Sequence, residues 1–199
     1  MQLHRGDVID GAVGILDEYG LADLTMRRLA GALDVRPGAL YWHFPNKQAL
    51  LGAVADRILG PMDEPVAAGE WSGQISELAH RMRGCLLTYR DGAELVSSTY
   101  ASRLTTNKGR ERLAGAMIRA GMTREEADPA AYTLLYYILG QTVDEQSRIQ
   151  LDSAGALTEE NSPLRESTSA TERFDFGLRL FLGGVRHLLG ERVRSTQPR

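Results

Sequence analysis

An all-α protein is predicted, on three observations. Apolar residues recur at helical spacings along most of the 199-residue chain, and no strand-type alternation persists. Glycine, proline and capping residues punctuate positions 1–59 into short helical segments. Two later segments are apolar around most of their circumference, which demands burial on more than one side.

In the first helix Val8, Ala12, Ile15, Leu16 and Tyr19 fall on one stripe, and Gly20 is a natural stop. Thr25 opens the second, because its hydroxyl can accept a hydrogen bond from an unpaired first-turn N–H. Leu29, Ala30 and Leu33 form its inner face. Asp34 follows, a residue type that tolerates the left-handed backbone of a tight turn. Pro37 suits the first position of a third helix, where a missing N–H is no loss. That helix runs to about His43, turning Leu40 and Phe44 inward, and Pro45 ends it. Asn46 caps a fourth helix carrying Leu50, Leu51, Val54, Ile58 and Leu59, stopped by Gly60 and Pro61. Residues 61–70 hold two prolines and no period, and read as a linker. The expected division is therefore a helix-turn-helix domain with its connecting helix over 1–59 and a larger helical domain over 60–199.

The larger domain starts with a helix from Trp71, whose face is Ile75, Leu78, Met82, Cys85, Leu86 and Tyr89. Leu113 and Met117 mark a later helix. Thr123 to Glu126 spells a capping box, but Asp128–Pro129 is an alternative start, since proline inside a helix bends it. Over 129–149, Tyr132, Leu135, Tyr136, Leu139 and Val143 make one stripe, and Leu134, Tyr137 and Ile138 another. The last helix turns Phe174, Leu178, Phe181, Leu182, Val185 and Leu189 one way, and Phe176, Leu180 and Gly184 another. Gly183 and Gly184 would admit a second helix closely. Such two-sided helices fit either a core helix surrounded within one chain or, as we expect, a homodimer. Residues 152–171 are small, polar and aperiodic, and read as a long loop.

Composition excludes several classes. A single cysteine, Cys85, allows no internal disulfide and no cysteine-rich metal site, and on its apolar stripe it reads as a buried hydrophobe. No run of about 18 apolar residues suggests a membrane span, and Asp7 and Asp10 interrupt any signal-peptide core. A cytoplasmic location is expected. No catalytic triad, phosphate loop or metal-ligand spacing is present, so no enzyme activity, cofactor or metal is expected. His80 and His187 read as isolated surface or interface residues.

The net charge of −3 does not announce a nucleic-acid binder, but its distribution is uneven. Between Thr25 and Gln48 stand Arg27, Arg28, Arg36 and Lys47 against Asp34 alone. DNA binding needs a basic face, not a basic protein; the same cations would also suit a solvated surface. The third helix presents Tyr41, Trp42 and His43 in a row, although its core needs only Leu40 and Phe44. Aromatic rings press on sugars and thymine methyls while their polar tips reach phosphates or base edges. A protein–protein patch or a partly buried corner is the alternative account of the trio. Lys47, in the first turn of the fourth helix, adds its charge to the positive end of the helix dipole.

The string LTMRRLAGALDVRPGALYWHFPNKQALL, residues 24–51, closely resembles the DNA-binding segment of TetR-family repressors, with LYWHF followed by NK its most specific part. LLTYRDGAELV, residues 86–96, resembles the larger domain of the branch that contains the tetracycline repressor, and LGQTVDEQ and FGLRLFLGGV sit where that branch has its interface helices. The resemblance implies a three-helix reading head, a connecting helix and a helical effector-binding and dimerisation domain. It implies DNA contacts from Thr25, Arg27, Pro37, Gly38, Tyr41, Trp42, His43 and Lys47. Asp34 departs from the family's usual glycine, and Pro37–Gly38 offers few base-specific hydrogen bonds, so Arg36 is added as a candidate reader of guanine or phosphate. By the same resemblance the branch's metal-ligating histidine falls at Val96, and its drug-binding asparagine and phenylalanine at Leu78 and Met82. A further histidine falls near Asp63, while Thr99 and Asp144 match polar positions of the pocket. Valine cannot ligate a metal. An apolar or aromatic effector among Leu78, Met82, Val96, Thr99 and Leu113, with Asp144 as a polar member of the pocket, is expected in place of a magnesium–drug complex, though the first five would also serve in an ordinary core.

A dimeric, ligand-responsive repressor of palindromic operator DNA is the function these readings converge on. An enzyme on a helical scaffold lacks a catalytic constellation. A small-molecule binder without DNA activity would keep its fold and be indifferent to replacement of Tyr41, Trp42 or Lys47.

Overall fold

The computed structural model describes residues 3–163 and 168–195, with side chains as far as Gly190. Among these residues the chain is all-helical: α1 (Arg5–Tyr19), α2 (Met26–Ala32), α3 (Pro37–Tyr41), α4 (Lys47–Ile58), α5 (Trp71–Leu87), α6 (Gly92–Ala101), α7 (Gly109–Arg119), α8 (Arg124–Ser153) and α9 (Ala170–Ser195). It forms two compact units. Residues up to Glu64 associate with Arg81–Lys108, and Pro65–His80 associate with the residues from Gly109 onward. None of the described helices is long and apolar enough to cross a membrane.

In the first unit, Val8, Ala12, Leu16, Leu29, Leu40 and Val54 are fully buried, the inward stripes the spacing predicts. The caps are also where expected. Thr25 Oγ1 accepts from the Arg28 N–H at 3.1 Å, and Asn46 Oδ1 from the Ala49 N–H at 2.8 Å. Asp34 takes φ +52°, and Pro37 opens α3. Helix α3 ends at Tyr41, short of the expected His43. The Leu40 carbonyl accepts from both the His43 and Phe44 N–H groups, which tightens the chain there and drops Phe44 into the core. Tyr19 leaves the core stripe. As the last residue of α1 it is exposed, with the Arg28 guanidinium 3.8 Å above its ring.

The expected linker is ordered where it starts. A 3-10 turn over Gly60–Asp63 buries Met62 completely, and Arg81 Nη1 donates to the carbonyls of Glu64 (2.7 Å) and Pro61 (3.4 Å). Helix α6 begins at Asp91, which sits at φ +54°, and its carboxylate accepts from the Leu21 N–H at 2.7 Å. Gly20 is required beside it: its φ is +86°, and a Cβ there would stand 2.6 Å from Asp91 Oδ2. Beyond α6, Arg103 takes φ +55°, and the following residues run against α4. A Cβ on Gly52 would lie 2.5 Å from the Leu104 carbonyl oxygen, so only glycine permits this approach.

In the second unit, α8 starts at the capping box, with the Thr123 N–H donating to Glu126 Oε2 at 3.0 Å. Pro129 is accommodated inside the helix, near enough to its start that any bend displaces a single turn. Ala170 begins α9, behind a reciprocal pairing of Ser169 with Glu172. The expected loop over 152–171 is therefore shorter, and it contains a 3-10 turn over Glu159–Asn161. Tyr137 of α8 lays its ring on Gly177 of α9, and its hydroxyl donates to the Phe174 carbonyl at 2.7 Å. Phe174, Leu178, Leu182 and Val185 are buried, whereas Phe176 and Leu180 face out. Of the stripe predicted on α8, Leu135 and Leu139 are buried, while Tyr132 and Tyr136 are exposed and stack with ring centroids 6.1 Å apart. His80, expected to be isolated, instead lies 3.2 Å from Asp175 Oδ1 and tilts against Phe174.

Two glycine replacements should separate these constraints in thermal denaturation. Gly52→Ala meets a backbone oxygen that cannot rotate away, and should destabilise by roughly 1–3 kcal/mol. Gly31→Ala, exposed in α2 with nothing within 4 Å of the new carbon, should instead stabilise by up to about 1 kcal/mol.

Candidate nucleic-acid interface

The expected contacts fall on α2, α3 and the first residue of α4. Thr25 caps α2 and is exposed, as is Arg27 in its first turn. The two adjacent arginines have different fates. Arg28 is held by an ion pair with Asp23 and lies over the Tyr19 ring, whereas Arg27 points to solvent. Arg36 is the N-cap residue of α3, makes no side-chain capping bond and is exposed, as are Pro37 and Gly38. Lys47 is half-buried at the start of α4.

Helix α3 is held from beneath by Leu40 and from its end by Phe44, both essentially buried. The Arg5 guanidinium stands 4.4 Å from the centre of the Phe44 ring and covers that side of it. On the outside Tyr41 is 50% exposed and Trp42 is 91% exposed. His43 is half-buried, less available than the two rings before it. An indole left almost wholly in water forfeits about 1.5–3 kcal/mol of burial free energy that a large apolar group would gain elsewhere. The fold itself therefore has no use for Trp42. Gly38 carries the same message. Glycine in a helix costs about 1 kcal/mol relative to alanine, yet a Cβ at Gly38 would meet nothing within 4 Å. The chain's own packing does not demand glycine there.

The six residues expected to meet an effector are distributed over both units. Met82, Val96 and Thr99 belong to the first, and all are buried. Val96 and Thr99 lie on successive turns of α6, and the Thr99 hydroxyl donates to the Val96 carbonyl at 2.8 Å. Thr99 thus retains only acceptor capacity for any other group. Leu78 and Leu113 belong to the second unit and are buried, whereas Asp144 is exposed on α8. Leu78, Leu113 and Asp144 do not line the open cleft of about 450 Å³ between α8 and α9, which is bounded by Met122, Pro129, Ala130, Leu180, Gly184 and Leu188 among others. Among the described residues, no group of three or more His, Cys, Asp or Glu side chains is placed to hold a metal ion. Cys85 is buried, and burial pushes its thiol above the ordinary value.

Two carboxylates important to the geometry were not singled out by sequence reasoning. Asp91 and Asp56 each bind main-chain N–H groups more than 45 residues away in the chain. Periodicity within one helix carries no signal for such partners.

Comparison with known proteins gives two matches to family models. Residues 8–54 match the bacterial regulatory proteins of the tetR family, and residues 64–163 match the tetracyclin repressor-like C-terminal domain. The class E tetracycline repressor protein of Escherichia coli is 32% identical over 98% of this chain and 96% of its own length. Among solved structures, BioQ with its double-stranded DNA operator is 45% identical, with a TM-score of 0.77 over 92% of this chain and 98% of that one. A TetR variant from Acinetobacter baumannii in complex with minocycline is 31% identical, with a TM-score of 0.77 over 94% of this chain and 98% of that one.

Replacement of Trp42 by alanine should leave stability within about 0.5 kcal/mol of the parent, while Leu40→Ala should cost about 2–5 kcal/mol, both read by urea denaturation. Equal losses would mean that Trp42 is packed in solution. A thiol reagent at pH 8 should modify Cys85 slowly in the native protein and rapidly in denaturant, because the buried thiol stays protonated until higher pH.

Proposed function

The chain belongs to the TetR family of bacterial regulatory proteins, and on that premise we propose that it is a dimeric transcriptional repressor, binding palindromic operator DNA through residues 1–59 and releasing it when a small organic molecule binds within residues 60–199. The observation that carries the DNA-binding part is the outer face of α3: Trp42 in water, Tyr41 half exposed, and Gly38 opening onto empty space. Arg27 and Arg36 supply exposed positive charge beside it, and Lys47 stands at the positive end of α4. The remaining contacts are assigned to Thr25, Pro37 and His43. The operator complex of the related BioQ supports this reading.

The effector is proposed to be apolar or aromatic. The minocycline complex of the A. baumannii relative supports a small-molecule effector. Here Leu78, Met82, Val96 and Leu113 offer hydrocarbon, and Thr99 a single acceptor, with Asp144 the outlying polar member of the set. Val96 cannot ligate a metal, and we propose that no metal is held at that position and that no cofactor takes part. The homodimer is supported by the outer faces of α8 and α9. Tyr132, Tyr136, Phe176, Leu180 and Leu188 are exposed there, and Gly183 and Gly184 open onto space with nothing within 4 Å. Large apolar side chains exposed on two helices favour association. Acting on DNA, the protein works in the cytoplasm.

Selection of bound duplexes from a random DNA pool should enrich a palindrome with half-sites about one helical turn apart. Affinity for the winner should fall by about 10³–10⁵ between 50 and 200 mM salt for roughly 6–10 phosphate contacts. Lys47→Ala should lower the salt slope by about one, and alanine at Tyr41 or Trp42 should weaken binding by about 1–3 kcal/mol each. Failure to enrich any sequence, even after denaturing and refolding to strip bound ligand, would sink the repressor reading. Leu180→Asp should yield monomers in analytical ultracentrifugation, together with weaker operator binding; a variant that remains dimeric would remove this face from the interface.

A further inference from the structure

Gly52 and Asp56 lie on successive turns of α4 and Leu59 caps its C-terminal end, along about 10 Å of the helix. All three meet the chain that leaves α6. Gly52 admits the Leu104 carbonyl. Asp56 takes four hydrogen bonds from three consecutive residues. Its Oδ1 accepts from the Thr105 hydroxyl at 2.6 Å, the Thr106 N–H at 2.8 Å and the Asn107 N–H at 3.0 Å, and its Oδ2 accepts from the Thr106 hydroxyl. Asn107 then donates from Nδ2 to the Leu59 carbonyl at 3.1 Å. Hydrogen bonds to an ionised carboxylate are roughly twice as strong as neutral ones.

This is more than α4 needs to stay folded. Leu50, Leu51, Val54 and Ile58 already bury its apolar side. The bonds at Asp56 instead determine where α4 lies across the 104–107 segment. Asp56 and Thr106 also line a cleft of about 400 Å³ with Arg5, Ala49 and Ala53. Lys47 is the first residue of α4, and Asn46 and the end of the α3 turn directly precede it, so a shift of α4 carries the outer face of α3 with it.

We infer that Asp56 is a positioning residue for operator binding: by clamping residues 105–107 it holds α4, and with it α3, in the placement that DNA requires. The inference rests on the DNA-reading function proposed above. Linkage makes it reciprocal, so bound DNA tightens the clamp by the factor that the clamp tightens DNA. The sign separates it from plain electrostatics. Removing a carboxylate from a DNA-binding unit lowers repulsion of phosphate and, through space alone, strengthens binding. Loss of positioning weakens it.

The test uses the full chain and the duplex enriched from the random pool. Asp56→Asn should bind that duplex about tenfold more weakly than the parent at the same salt. Amide hydrogen exchange gives the second readout. In the parent protein, saturating duplex should slow exchange at Thr106 and Asn107 by about fivefold or more, and in Asp56→Asn by less than about twofold. A purely structural clamp leaves these two amides equally protected with and without DNA. Thr106→Val keeps the charge and the main-chain donor and removes one hydroxyl, so it tests the clamp even where Asp56→Asn folds poorly. It should weaken binding by about three- to fivefold. Unchanged or tighter binding by a folded Asp56→Asn, parental affinity in Thr106→Val, or exchange indifferent to duplex each overturns the inference while leaving DNA binding intact. Absence of any enriched duplex for the parent protein overturns the DNA-reading function and this inference with it.

Discussion

The first unit depends on the close approach of two stretches of main chain: α4 at Gly52 and the residues that leave α6 at Leu104. Backbone cannot rotate out of the way as a side chain can, so this contact admits no substitute for glycine. Once the approach is made, the main-chain N–H groups that follow find partners on α4. Asp56 and Asn107 make the bonds on this side, and the left-handed Arg103 turns the chain so that they can. At the other end of α6, Asp91 and Gly20 form a second such junction, with a carboxylate capping a distant N–H and a glycine making room for it. Helix α6 is therefore fastened to α4 by its trailing segment and to the α1–α2 turn by its leading residue.

Local signals in the sequence translated well. Thr25, Asn46 and the Thr123–Glu126 pair cap the helices they were read to cap, because a cap bonds within three residues of itself. Asp34 and Pro37 likewise mark the turn and the start of α3 by backbone preferences that belong to single residues. Legibility failed where the partner was remote. Tyr19 sits on the apolar spacing of α1, but its ring is covered by a cation from α2. Met62 looked like linker, and is buried because Arg81 holds the carbonyls on either side of it. Helix α6 was not separated from its predecessor, since a left-handed aspartate before a glycine has no periodic signature. For the reading face, exposure of Trp42 and Tyr41 agrees with the sequence reading, whereas His43 is partly withdrawn by the tight turn at Leu40.

Both outward faces carry apolar groups that the monomer gains nothing by exposing. On α3 these are the indole of Trp42 and the ring of Tyr41; on α8 and α9 they are Tyr132, Tyr136, Phe176, Leu180 and Leu188. The two differ in their surroundings. The first is flanked by arginine side chains and an open glycine, chemistry suited to a charged, grooved polymer. The second is a broad hydrocarbon surface with two glycines, chemistry suited to another helix.

Helix α5 contributes Trp71–His80 to one unit and Arg81–Leu87 to the other. Modularity in this chain therefore does not follow the order of its residues. A chimera that grafts residues 1–59 onto another regulator's body leaves behind Asp91, Thr105, Thr106 and Asn107, and strands Asp56 and the Leu21 N–H without partners. The compact piece is a discontinuous one, the head together with Arg81–Lys108, so a graft that keeps these contacts carries both pieces together.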